Sequence, residues 1–69
     1  MPGMEIVLNG QAKILAGPLS IAALVAELGF TGKRIAVERN GEIVPKSTYE
    51  QVMIAAADRL EIVVAVGGG

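Results

Sequence analysis

Arg59-Leu60-Glu61-Ile62-Val63-Val64-Ala65-Val66 runs without interruption into Gly67-Gly68-Gly69. Every second residue of the run, Leu60, Ile62, Val64 and Val66, is a large aliphatic, the period-two pattern of a strand with one buried face. The alternate set, Glu61, Val63 and Ala65, is mixed in character and belongs to the other face. A second alternating run, Met4-Glu5-Ile6-Val7-Leu8, puts Met4, Ile6 and Leu8 on one side. Two strands this apolar belong at the centre of a sheet, and the simplest arrangement makes them parallel neighbours. That pairing decides the fold.

Working outward, Asn9-Gly10 follows the first strand directly, and Asn-Gly is the dipeptide that best suits a two-residue hairpin turn with positive φ at both positions. Gln11 to Leu15 is then the return strand, with Lys13 toward solvent. Gly17-Pro18 ends it, and Ser20 is placed to cap a helix. Ile21, Leu24, Val25 and Leu28 recur at helical spacing and form one apolar stripe, with Gly29 able to end the helix in a left-handed conformation. After Lys33-Arg34, the run Ile35 to Arg39, a second Asn-Gly at Asn40-Gly41 and the short Glu42-Ile43-Val44 read as another hairpin, stopped by Pro45. Lys46 to Ala57 shows no long periodic stripe. It is expected to be a loop with one turn of 3₁₀ or α-helix near Thr48 to Gln51, anchored by Tyr49, Val52 and Ile54.

The order hairpin, helix, short hairpin, loop, strand predicts an α+β domain: a mixed sheet of about four or five strands with one main helix on one face. This is the β-grasp, or ubiquitin-like, arrangement, expected over residues 1–66 with residues 67–69 as a flexible glycine tail. One helix leaves the sheet face that carries Val7, Val63 and Ala65 uncovered, and an exposed apolar face on a small protein suits partner docking. Together with Val66 these residues form the candidate docking face.

Composition removes most rival chemistries. The chain has 69 residues with neither Cys nor His, which excludes disulfide frameworks, Cys/His zinc sites, thiol nucleophiles and Ser-His-Asp arrangements. No metal site is expected. Seven acidic and six basic residues give a net charge of −1 without a basic block, against the footprint of a nucleic-acid binder. No apolar run approaches the ~20 residues needed to span a bilayer, and Met1-Pro2-Gly3-Met4 has no basic leader, so the expectation is a cytoplasmic protein that does not engage a membrane. Glu27 and Glu50 are not spaced to act as an acid-base pair. Arg39, Lys46 and Arg59 could meet acidic groups of a partner, although isolated surface charges are usually solvated. Asp58 and Arg59 are expected to shape a turn.

Leu8-Asn9-Gly10, the stretch Ile35 to Pro45 with its Asn-Gly-x-x-Val-Pro piece, and Asp58 to Gly69 together resemble the thiamine-biosynthesis sulfur carriers, the ThiS family, related to MoaD. The resemblance implies a carrier protein and not an enzyme. It implies that a ThiF-type adenylating enzyme uses ATP to form a transient acyl-adenylate on the α-carboxylate of Gly69. A sulfur donor such as a cysteine desulfurase then converts this to a thiocarboxylate, and thiazole synthase (ThiG) takes the sulfur. Gly67, Gly68 and Gly69 would be the segment that enters partner active sites, because a backbone without side chains fits a narrow channel. The carrier itself would bind no cofactor and hold no catalytic residue. The small subunit of molybdopterin synthase, carriers for tRNA thiolation or cysteine synthesis, a ubiquitin-like modifier and a plain interaction module remain alternatives at this level. The sequence departs from the family pattern in having Ala57 where Gly commonly precedes the Asp of the last strand, so that turn is expected to differ in backbone conformation, and in ending on three glycines where two suffice.

Overall fold

The computed structural model describes residues 3–65. The element order is β1 (Met4–Leu8), β2 (Gln11–Leu15), α1 (Ile21–Glu27), β3 (Ile35–Arg39), β4 (Glu42–Ile43), a 3₁₀ turn (Lys46–Thr48) and β5 (Arg59–Val64). The five strands form one sheet in the order β2-β1-β5-β3-β4. The last strand therefore lies in the middle, parallel to β1 through Val7↔Arg59 and Leu8↔Leu60 and antiparallel to β3 from Ile35↔Val64 to Arg39↔Leu60. This is the mixed sheet with one helix that defines the β-grasp.

Both Asn-Gly turns have the backbone that their composition demands, with φ of 51° and 82° at Asn9 and Gly10 and 53° and 88° at Asn40 and Gly41. The two-residue turn fixes the first hairpin's register: Leu8 faces Gln11, so Ile6 faces Lys13 and Glu5 faces Ile14. Residues directly opposite share a face. Lys13 therefore lies on the helix-bearing side and is partly buried, while Ile14 is 63% exposed on the open side. The expectation that Lys13 stands in solvent is corrected by that register, with the aliphatic stem able to lie along apolar surface while the ammonium reaches water.

Helix α1 is short, so its stability comes from packing and capping more than from propensity. Ile21, Leu24 and Val25 are buried against Ile6, Leu15, Val37, Tyr49, Ile54, Leu60 and Ile62. Each fully buried aliphatic contributes roughly 1.5–3 kcal/mol. The N–H groups at a helix start have no partner within the helix. Here Ile21 N–H donates to Val52 O (3.0 Å), Ala22 N–H to Tyr49 O (2.9 Å), Ala23 N–H to Ser20 Oγ (3.0 Å) and Leu24 N–H to Ser20 O (3.1 Å). The segment after β4, expected as a loop, thus closes the helix N-terminus with its own carbonyls. At the other end Gly29 (φ 84°) follows the helix, with Gly29 N–H bonded to Ala26 O and Phe30 N–H to Val25 O, the paired bonds of a glycine C-terminal cap.

Two boundaries differ slightly from the sequence reading. β4 ends at Ile43, yet Val44 is buried and its N–H reaches Val37 O at 2.8 Å before Pro45 ends the pairing. The 3₁₀ turn begins two residues earlier than expected, at Lys46, and Thr48 Oγ1 donates back to Pro45 O at 2.7 Å. Tyr49 and Ile54 are buried and Val52 is partly buried, as their anchoring role requires.

Candidate functional site

Val66, Gly67, Gly68 and Gly69, the residues that the sequence marks for chemistry, lie outside the described residues. What the structure describes is the support that leads to them: β5, the groups that hold it, and the face it presents.

The start of β5 is held by Asp58, 6% exposed. Its Oδ2 accepts from Arg39 Nε at 2.7 Å and from Ala55 N–H at 2.8 Å, and its Oδ1 accepts from Asn40 Nδ2 at 3.1 Å. Burial alone would raise this carboxyl's pKa. The Ala55 N–H, the Arg39 and Asn40 hydrogen bonds and the Arg39 charge together outweigh it, and the pKa falls below the ordinary aspartate value. Arg39, a candidate for meeting a partner's acidic group, is thus engaged within the chain. Asp58 does shape the turn, and it also ties the end of β3 to the start of β5.

Ala57 completes that turn. Asp58 N–H donates to Ala55 O at 3.1 Å, Ala57 N–H to Glu5 O at 2.8 Å, and Ala57 has φ of 69°. An alanine therefore adopts the left-handed conformation that favours glycine, at a cost of roughly 1–2 kcal/mol. Where the family commonly has Gly, this chain thus holds an alanine in a left-handed, strained turn.

Two turn asparagines grip β5 from opposite sides. Asn9 Oδ1 accepts from Ile62 N–H at 2.8 Å while its Nδ2 donates to Ile62 O at 3.3 Å. Asn40 Oδ1 accepts from Arg59 N–H at 2.9 Å, and Asn40 N–H donates to Arg59 O at 2.7 Å. These contacts span 53 and 19 residues, and Asn-Gly reads as a hairpin signal whether or not its side chain is used. Sequence reasoning found the turns and missed the grips.

The open face carries the docking candidates. Val63 is 62% exposed, Ala65 is exposed and Val7 is partly buried. The structure does not bring them into one cluster. Val63 sits opposite Ala36 of β3, whereas Val7 sits opposite Arg59, so Arg59 and Glu61 intervene along β5. A groove on this face is lined by Val7, Glu38, Arg59 and Glu61. Two further residues belong to this face. Ile14 lies opposite Glu5, and Ile43, 64% exposed, lies opposite Glu38. Hairpin register would have located Ile14, since the face of β1 is known once its core residues are.

Among the described residues no group of three or more carboxylates could hold a metal ion, and no helix is long and apolar enough to cross a membrane. Together Asn9, Asn40 and Asp58 tie the strand that precedes the glycines, and the turn before it, to the two hairpins.

Comparison with known proteins agrees with this architecture. The chain is 47% identical over 66 residues to a thiazole synthase of Paramagnetospirillum magneticum, an alignment that covers 96% of this chain and 20% of that protein. It therefore spans about a fifth of the length of the first curated relatives it matches. It is 42% identical over 50 residues to the sulfur carrier protein ThiS of Bacillus subtilis, covering 72% of this chain and 76% of that one. Among solved structures, the crystal structure of a thiamine biosynthesis protein (ThiS) from Geobacter metallireducens superposes with a TM-score of 0.82 at 25% identity, over 96% of this chain and all of that one. The sequence profile of the ThiS family matches residues 6–69, so the glycines that close the run from β5 fall inside the family match, and the chain belongs to the ThiS family.

Proposed function

We propose that the chain is a sulfur carrier in thiamine biosynthesis, with the α-carboxylate of Gly69 as the carrying group. The observation that supports this most is the likeness to the sulfur carrier protein of Bacillus subtilis over 72% of this chain, on a fold whose central strand precedes the glycines in sequence.

The chemistry suits such an arrangement. A carboxylate oxygen is a poor leaving group, so a ThiF-type enzyme couples the Gly69 carboxylate to AMP, releasing pyrophosphate from ATP. Persulfide sulfur from a donor such as a cysteine desulfurase displaces AMP at the acyl carbon to give an acyl disulfide, and a second thiol then cleaves it, forming a disulfide with the donor sulfur and leaving the thiocarboxylate. Thiazole synthase then receives the sulfur from that soft nucleophile. The reading needs no catalytic side chain on the carrier, in keeping with a sequence that contains neither Cys nor His. The open face with Val63, Ala65 and Val7 is the proposed docking surface, and Gly67 to Gly69 the proposed segment that enters partner active sites. The likeness to thiazole synthases supports that enzyme as the recipient.

The test is intact-mass measurement after incubation with a ThiF-type enzyme, ATP and a sulfur source. The expected product is heavier by the difference between one sulfur and one oxygen, with the change located on Gly69. Absence of that species while a known carrier is converted in parallel would overturn the reading. Extending the chain past Gly69 is expected to abolish conversion without altering the fold.

A further inference from the structure

On the β1 side, β5 runs on past the end of its neighbour: the pairing stops at Leu8↔Leu60, while β5 continues to Val64. The first strand ends at Leu8, and the main chain turns away at Asn9, whose N–H makes the last main-chain bond to β5, at Leu60 O (2.9 Å). Arg59 at the start of β5 and Ala65 just past its end bond on the β3 side, through Asn40 N–H to Arg59 O and Ala65 N–H to Arg34 O. By antiparallel alternation Glu61 and Val63 do the same, and Leu60, Ile62 and Val64 direct their N–H and C=O groups toward β1. At Ile62 no β1 main chain remains to meet them. The Asn9 carboxamide meets both instead, as acceptor at 2.8 Å and donor at 3.3 Å. One side chain thus stands in for a further residue of the ladder. Beyond it, Val64 directs its N–H and C=O to the same side, past the last β1 pairing at Leu8↔Leu60.

We propose that Asn9 is a positioning residue for the half of β5 that leads to the glycines, fixing the course of Ile62 to Val64 so that the chain leaves the sheet in one direction. This rests on the carrier reading. Without the amide, β5 past Leu60 is held on the β3 side alone, and each docking event has to order it. The loss therefore falls on the affinity of the activating enzyme for the carrier and not on the rate once the carrier is bound.

Asn40 supplies the control. It occupies the same kind of turn and also makes side-chain bonds to β5 and its flank, at Arg59 and Asp58, but at the strand's opposite end. Glycine accepts the positive φ at either position, so Asn9→Gly and Asn40→Gly keep both turns and remove only the amides. With a ThiF-type enzyme and ATP, Asn9→Gly is expected to raise KM for the carrier about fivefold with kcat unchanged, and Asn40→Gly to leave KM alone. In the isolated protein, amide exchange at Ile62 is expected to accelerate in Asn9→Gly only. Asn9→Asp keeps the acceptor for Ile62 N–H but places a carboxylate oxygen against Ile62 O, and should fall between. An unchanged KM in Asn9→Gly, or equal rises in both glycine variants, would overturn the proposal. Failure of the unaltered protein to be adenylated would instead overturn the carrier reading, while the exchange measurement still decides whether Asn9 holds Ile62. If Asn9→Gly does not fold, Asn9→Asp with unaltered exchange at Ile62 and unaltered KM overturns it.

Discussion

Arg39 Nε and Asp58 Oδ2 lie 2.7 Å apart, the carboxylate nearly enclosed and the guanidinium about one-third exposed. Because Asp58 also accepts from Ala55 N–H and Asn40 Nδ2, its removal orphans donors on two elements. Asp58→Ala is expected to cost about 2 kcal/mol, mostly from those unpaired donors and less from the partly solvated ion pair. Urea unfolding should show a lower midpoint with an unchanged slope.

The same carboxylate gives a pH signature. Its folded pKa lies below its ordinary value, so its contribution to stability is complete above the unfolded aspartate pKa, ~3.9. As pH falls through that value and on through the lowered folded pKa, the contribution is lost. Melting temperature measured across this acidic range should fall more steeply in the unaltered protein than in Asp58→Asn, and the two curves should run parallel at neutral pH.

Ala57 offers the opposite sign. Relieving its left-handed backbone with Ala57→Gly recovers part of the strain, offset by the greater freedom of glycine in the unfolded chain, for a net gain of roughly 0.5–1 kcal/mol. For a domain of this size that corresponds to a rise of about 4–8 °C in Tm per kcal/mol. A lower Tm would show that Cβ packing at residue 57 outweighs the strain.

On the open face, Val63→Asp replaces an exposed side chain and should change stability by no more than ~0.5 kcal/mol. Under the carrier reading it should weaken complex formation with the activating enzyme and with thiazole synthase, measured by titration calorimetry. Unchanged affinity for both would remove Val63 from the docking surface.

Much of this fold is legible because its signals are local. Asn9-Gly10 and Asn40-Gly41 announce their turns, the Ile21-Leu24-Val25-Leu28 stripe announces the helix, and the matched alternation of Met4–Leu8 and Leu60–Val64 announces the central pair. What stays hidden depends on residues far apart in sequence. Asn9 grips Ile62 only after β5 has arrived beside β1, and Asp58 gathers Arg39, Asn40 and Ala55 only once both hairpins are in place. Lys13 shows a different failure, in which residue character suggested a face that hairpin register overrules. The segment Lys46 to Ala57 lacked periodicity because its task is to offer carbonyls of Tyr49 and Val52 to the helix, and any side chains can flank a carbonyl.

Placing β5 between β1 and β3 also sets the order of events when the chain is made. During synthesis the two hairpins emerge first, and neither has its central neighbour until residues 59–64 clear the ribosome. Until then the inner edges of β1 and β3 keep rows of N–H and C=O groups without a strand partner. A chain that breaks off early is left as two disconnected hairpins with bare edges, open to proteolysis. The strand that leads to the glycines is in this way also the one whose arrival turns the nascent polypeptide into a folded protein.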